Sequence, residues 1–388
     1  ALLQWAVADM QLQLPRLSLA MMALLIALAT NLGVSSMVGG FRLTFLEWLD
    51  QRLSAPLYIN AAPATLGPLN DWLRDQESVL ALLPTARGST EVVNVRRASG
   101  SQDVPPGSIP LFGIQPVPRL TEHWPLSETQ SGNTTAWQAL TRDGVFINEQ
   151  MAFAHDLTPG DTLTLVRPQG SQEATIAAIY PDYGNPQPQI VMTVDTLTQR
   201  YGGELATVGV ALREGADVAL FRRLLMERFN LSSDALVDQQ EVKQVATTIF
   251  ERTFSITRAL NGLTLGVAAL ALLTTLLAQA QQRQRHLATL WALGVPRKTL
   301  VALPLIQLGG LALLTGLFAL PLGIAITWLL VAVINVAAFG WRLPLQLFPS
   351  EIATLMITAV GVALLAAALP CWRLWRSRPS ALLSEGNT

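Results

Sequence analysis

Four stretches of the chain carry no charged side chain: residues 17–41, 259–282, 299–341 and 352–372. The hydrocarbon core of a bilayer is about 30 Å thick, and an α-helix needs about 20 apolar residues to cross it. Each stretch is long enough, and four such runs do not fit the buried helices of a soluble core. Composition agrees, since 51% of the 388 residues are hydrophobic and 14% are charged, against roughly 25% charged in soluble domains. The expected fold is an α-helical membrane protein with four transmembrane helices and a large extracytoplasmic α/β domain inserted between helices 1 and 2.

The third run, 299–341, is long enough to be read as one span or as a hairpin of two. Basic residues collect on the cytoplasmic side of membrane proteins. The segment between the second and third runs holds Arg283, Arg285, Arg297 and Lys298 with no acid, and the tail holds Arg373, Arg376 and Arg378 against Glu385. Both therefore belong inside, which requires an even number of spans between them, and 299–341 must be one span. Pro304 and Pro321 are expected to kink it.

The boundaries that follow are a cytoplasmic interfacial helix at 1–16 and a first span at 17–41, with Pro15 and Arg16 marking entry into the span. An outside segment at 42–256 leads to a second span at 257–281 and a cytoplasmic segment at 282–299. A third span at 300–334, an outside connector at 335–350 anchored by Trp341, a fourth span at 351–371 and a cytoplasmic tail at 372–388 complete the chain. The chain starts at Ala1, which fits removed leading residues or a piece of a longer polypeptide.

The outside segment reads as a folded domain. "GVFINE" (144–149) is a strand, "EQMAFAHDL" a helix, and "TPGDTLTLV" (158–166) a turn into an alternating strand. "EATIAAIY", "QIVMTVD" and "ATVGVAL" are further strands, and "DVALFRRLLMERF" (217–229) has helical apolar spacing. Residues 99–143, rich in Ser, Pro, Gly and Thr, read as a loop-rich insertion. "LTFLEWLDQRL" (43–53) and "QEVKQVATTIFERTFSITRAL" (240–260) read as helical stalks that either transmit movement or act as rigid spacers.

Several chemistries are excluded. The net charge of −1 shows no basic stripe for nucleic acid. The single Cys371 forms no disulfide within the chain, and His123, His155 and His286 have no metal-ligand spacing around them. Only Lys243 and Lys298 are lysines and neither follows a glycine-rich turn, so the chain has no P-loop. "GVSSMVGG" (33–40) is a small-residue packing segment rather than a nucleophile elbow. Acidic residues are absent from the runs, which argues against a proton relay. The polar exceptions Asn31, Gln307 and Asn335 make interhelical hydrogen bonds or line a substrate path. Gly309, Gly310, Gly316 and Gly323 let helices approach closely, as a packing interface or a lateral opening.

One segment stands apart. "QQRQRHLATLWALGVPRKTL" (281–300) lies between two apolar runs as a short basic helix, with a stop at Gly294 and a restart at Pro296. Leu287, Leu290 and Trp291 form its apolar face. Together with four spans and a large outside domain, "RQRHLATLWALGVPRKTL" resembles the permeases of the FtsX/MacB/lipoprotein-releasing type, the type VII ABC transporters. "GVFINEQMAFAHDLTPGDTLTL" resembles the core signature of that family's periplasmic domain, and "ALPCWRLWRSRPSALLSEG" its closing segment. His286 stands where the family usually carries a glutamate, and Val295-Pro296 replaces the common Ala-Ser.

The resemblance implies a MacB-like periplasmic core domain and a multi-pass protein of the bacterial inner membrane. It implies a non-catalytic permease whose ATPase partner, a dimer, contacts Arg283, Arg285, His286, Leu287, Leu290, Trp291, Gly294, Arg297 and Lys298. ATP and Mg would be bound by that partner, and no cofactor or metal by this chain. A second permease copy or a homologous permease, membrane lipids and a periplasmic lipoprotein or carrier complete the implied partners. The implied function is mechanotransmission for extraction or export of a lipid, lipoprotein or other hydrophobic envelope substrate. The alternative is an FtsX-like regulator that does not transport and activates a periplasmic cell-wall hydrolase.

Overall fold

A computed structural model of the protein describes residues 2–97, 100–103, 107–183, 185–292 and 295–376. Among them, four helices are long and apolar enough to cross a membrane: Leu17–Arg52, Gln239–Ala278, Val301–Phe339 and Pro349–Trp372. The third apolar run is thus one helical segment and not a hairpin. The chain divides into two compact units: a span unit (up to Phe41, Glu251–Val333 and Pro344 onward) and an α/β unit of Arg42–Phe250 with Ile334–Leu343.

In chain order, α1 (Leu2–Arg52) passes through Pro15 without a break. The α/β unit continues with β1 (Leu57–Ile59), α2 (Pro63–Arg74), β2 (Val79–Arg97), β3 (Gly100–Asp103) and β4 (Ser108–Ile114). Then come α3 (Pro118–Thr121), β5 (Glu128–Thr129), α4 (Asn133–Thr141), β6 (Val145–Asn148), α5 (Glu149–His155) and β7 (Thr162–Arg167). The unit is completed by β8 (Gly170–Tyr180), β9 (Ile190–Thr193), α6 (Val194–Arg200), β10 (Glu204–Leu212), α7 (Val218–Phe229) and β11 (Leu236–Asp238). The remaining helices are α8 (Gln239–Ala292), α9 (Arg297–Trp328), α10 (Asn335–Phe339) and α11 (Pro349–Arg376), with a π-helical turn at Leu329–Ile334 joining α9 to α10.

The strands form a mixed sheet in the order β11-β1-β10-β2-β4-β9-β6-β8-β5, with β3 on β2 and β7 bridging β2 and β8. The β4–β9 and β6–β8 pairs are parallel. Residues of β6 and β9 are buried on both faces, which accounts for their unbroken "VFI" and "IVM" runs. Helices start where a side chain can satisfy free backbone N–H groups. The Asn148 side chain accepts from Met151 N, that of Thr193 from Thr196 N, and that of Asp217 from Ala219 N and Leu220 N.

Three apolar clusters fill the α/β unit. One lies under β7 and β8 (Val92, Val95, Leu163, Leu165, Ile176). A second is aromatic and gathers Trp124, Trp137, Phe146 and Tyr180. A third packs α2 and α7 on β1 and β10 through Leu66, Leu69, Leu73, Phe221 and Leu225.

Two readings of the sequence are corrected here. Residues 99–143 are not a loop-rich insertion: β4 is an interior strand held on both sides by β2 and β9, and α4 contributes Trp137 and Leu140 to the core. Backbone pairing from distant strands overrides the turn-prone composition. Trp341 is not a free interfacial anchor but is 5% exposed, edge-on to Tyr183 at 6.0 Å.

In the span unit, the buried residues Leu17, Met21, Leu24, Leu28 and Leu32 of α1 recur at steps of three or four residues, which places them along one face of the helix. Leu272 and Leu276 of α8, Leu308 and Ala312 of α9, and Ala359, Ala363 and Ala366 of α11 meet this seam in one cluster. Small side chains on α11 allow close helix approach, which drives association where no hydrophobic effect acts between helices.

Phe146 is fully buried and meets the Trp137 ring edge-on at 5.0 Å. Phe146→Ala is expected to cost about 3–5 kcal/mol, read as a lowered thermal midpoint of the full chain in detergent.

Candidate functional site

The basic segment lies on the last turns of α8 and the start of α9. Residues 283–292 continue α8 as helix, and Pro296 is the N-cap of α9, whose first residue is Arg297. Arg283, Arg285, His286, Leu287, Leu290 and Trp291 therefore stand on helical backbone, and their side chains, like that of Arg297, fall outside the described residues. Gly294 also lies outside them. Lys298, in the first turn of α9, is exposed.

From this segment α8 runs without a break to Gln239, 54 residues, or roughly 80 Å at 1.5 Å per residue. Its far end is fastened within the α/β unit. The Gln239 backbone N–H donates to Pro56 O at 3.0 Å, its side-chain amide donates to Leu53 O, and Lys243 pairs with Asp50 near the end of α1. The ion pair is partly exposed, so it orients more than it stabilises.

The end of α1 is held more firmly. Arg52 closes the helix with its guanidinium 3.9 Å from the centre of the Trp124 ring, with Phe112, Trp48 and Tyr180 at 5.4, 5.7 and 5.7 Å. Asp182 lies 4.0 Å away, and Trp48 Nε1 donates to Pro181 O at 2.9 Å. A cation at a helix C-terminus also faces the negative end of the helix dipole. This aromatic cage was not visible in the sequence, because Arg52, Phe112, Trp124 and Tyr180 are brought together from four separate segments of the chain.

The four glycines of the third span differ. A Cβ on Gly323 would lie 2.8 Å from Leu32 Cδ2 and 3.1 Å from Ala29 O of α1, and one on Gly316 would meet Met356 Sδ at 3.1 Å and Ala359 of α11. A Cβ on Gly309 or Gly310 would meet nothing within 4 Å among the described residues. In the "GVSSMVGG" segment, a Cβ on Gly33 would collide with Ile326 of α9 at 2.5 Å. Asn31 and Asn261 flank Ser35, which donates to Asn31 Oδ1 at 3.2 Å and accepts from Asn261 Nδ2 at 3.4 Å, linking α1 to α8. Among the described residues no three His, Cys, Asp or Glu side chains gather as a metal site.

The sequence profile of the MacB-like periplasmic core domain matches residues 17–227, and that of the FtsX-like permease C-terminal domain matches residues 258–379. An uncharacterised ABC transporter permease protein of Mycobacterium tuberculosis is 27% identical over 379 residues, covering 94% of this chain. The chain spans 43% of that relative's own length. Among solved structures, the periplasmic region of MacB from Actinobacillus actinomycetemcomitans aligns at 13% identity over 50% of this chain and 94% of its own, with a TM-score of 0.33. The extracellular domain of the noncanonic ABC-type transporter YknZ from Gram-positive bacteria aligns at 13% identity over 47% and 98%, with a TM-score of 0.30.

Two contrasts test the geometry. Gly323→Leu is expected to destabilise the chain by about 1–3 kcal/mol through overpacking, whereas Gly309→Leu leaves the thermal midpoint in detergent unchanged or slightly raised. Arg52→Ala, which empties the aromatic cage, is expected to cost about 2 kcal/mol in the same assay, and Arg52→Lys recovers only part because a compact ammonium cannot lie flat against several rings.

Proposed function

The chain belongs to the FtsX/MacB type of ABC transporter permeases, and on that footing we propose that it couples ATP hydrolysis by a separate ATPase to movement of its periplasmic domain. The work done would be extraction or export of a lipid, lipoprotein or other hydrophobic envelope substrate. The observation that carries this reading is the continuity of α8 from the basic segment to the attachment at Gln239. A displacement at Arg283 and Arg285 is carried along one helix, because the hydrogen-bonded backbone resists stretching.

In this reading the 282–299 segment sits on an ATPase dimer at the cytoplasmic face of a bacterial inner membrane. ATP and Mg are bound there, since neither lysine of this chain lies in a phosphate-binding loop. Leu287, Leu290 and Trp291 supply the apolar contact, with the arginines beside them.

A second permease unit is supported by the exposed side of α8. Ile256, Leu260, Leu263, Val267 and Leu270 are each more than half exposed and follow steps of four and three, the seam of a left-handed helix pair. Val245, also more than half exposed, extends apolar surface beyond the charge-free run at 259–282, where lipid would not cover it.

Two measurements test this. Charge reversal at Arg283 and Arg285 (Arg283→Glu with Arg285→Glu) is expected to abolish co-purification with an ABC ATPase while leaving the chain's thermal midpoint in place; retained association contradicts the assignment. Leu263→Cys in a Cys371→Ser background is expected to give an oxidant-dependent band at twice the chain mass in membranes, and its absence speaks against pairing along α8.

A further inference from the structure

Residues 339–343 lie between the third and fourth spans in sequence, yet they pack as part of the α/β unit. Glu149, the first residue of α5, is 6% exposed. One carboxylate oxygen accepts from Ser127 Oγ at 2.7 Å, and the other accepts from the backbone N–H of Arg342 at 2.9 Å. The same short loop is held by four further contacts. Gly340 adopts φ +74° against Gln150, where a Cβ would lie 3.2 Å from Gln150 Cα. Trp341 meets Tyr183 edge-on, the Tyr183 hydroxyl donates to Arg342 O at 3.4 Å, and the Arg342 guanidinium lies 4.8 Å from the centre of the Phe153 ring. Asn335 Nδ2 donates to Trp341 O at 2.8 Å, fixing the loop's own turn.

We infer that Glu149 is a positioning residue that fastens loop 339–343 to the periplasmic domain, so that the third and fourth spans, as well as the first and second, are joined to any movement of that domain. A buried carboxylate that accepts a backbone N–H from a distant segment is costly to leave unpaired, and this makes the grip specific rather than incidental packing. The proposed function supplies only the premise that the domain moves; the grip itself is a property of the chain alone.

The grip has a pH signature. Burial raises the Glu149 carboxyl above the usual carboxylate range, opposed by the Ser127 hydroxyl, the Arg342 amide and the Arg342 guanidinium and reinforced by Glu128. The Tyr183 hydroxyl also faces it, itself pushed up by burial first and by the Glu149 charge second. Undocking would return Glu149 to water and lower its pKa, so the docked form binds the proton more tightly. Docking therefore tightens as pH falls through the raised pKa and relaxes as pH rises above it.

Hydrogen exchange of the full chain in detergent micelles, without any ATPase, tests this. In the wild type the Arg342 amide should be protected, and Glu149→Ala and Trp341→Ala should each speed exchange across 339–343 by about tenfold or more. Protection in β6 and β8 should remain, which shows that the domain stays folded. Protection corrected for intrinsic rates should rise in the wild type as pH falls through the raised range of the Glu149 carboxyl and stay flat in Glu149→Gln. An unprotected Arg342 amide in the wild type, no change in Glu149→Ala, or a wild-type profile that is flat or falls with acidification overturns the inference. Loss of ATPase binding in a separate experiment would overturn the proposed function and leave this result standing.

Discussion

Hydrocarbon accepts neither a charge nor an unpaired backbone group at small cost, and this constraint shapes every other feature of the chain. It confines backbone in the membrane to helices that satisfy their own hydrogen bonds. It leaves four runs without charge and drives all 53 acidic and basic residues (26 Lys and Arg, 27 Asp and Glu) to the segments around them. Within the span unit, association then depends on close contact, and the seam of α1 with the alanines of α11 and with Gly316 and Gly323 of α9 provides it.

The same constraint decides how movement could pass through. With no charge relay in the spans, a signal has to travel as displacement of whole helices. Both α1 and α8 exceed what a bilayer needs, at 51 and 54 residues, and their extra turns end on specific attachments. Arg52 sits in its aromatic cage, Gln239 donates to the turn after α1, and Glu149 takes hold of the loop that follows the third span. The attachments at Gln239 and Glu149 pair polar groups that would be costly to strand, and at Arg52 the guanidinium is held against aromatic faces.

Much of this was legible in the sequence, for reasons that can be named. The spans are set by absence of charge, which needs no tertiary context. The strands β6 to β10 show because their apolar runs are bounded by turns such as Thr158-Pro159-Gly160. The strand β2 was missed because Pro84 and Gly88 interrupt "VLALLPTARGSTEVVNVRR", yet Pro84 pairs with Val208 and Gly88 with Leu111. The strand β4 hid in a stretch rich in Pro and Ser, and one of its two partners, β9, is distant in sequence.

Among site residues, pattern and structure speak to different things. Gly309, Gly310, Gly316 and Gly323 look alike in sequence, and among the described residues Gly316 and Gly323 face another helix while Gly309 and Gly310 do not. The 282–299 segment is recognisable from its charges and from the family profile that covers it, whereas Glu149 reads in sequence as an ordinary first-turn acid. In the function proposed above, the ATPase cycle moves the periplasmic domain. A pair of spin labels, one at Glu227 on α7 and one at Ser350 at the start of α11, reports that movement in the reconstituted permease–ATPase complex. Trapping the ATPase with ATP and vanadate is expected to shift the inter-label distance distribution relative to the nucleotide-free complex. An identical distribution in both states, with the ATPase bound and trapped, would contradict it.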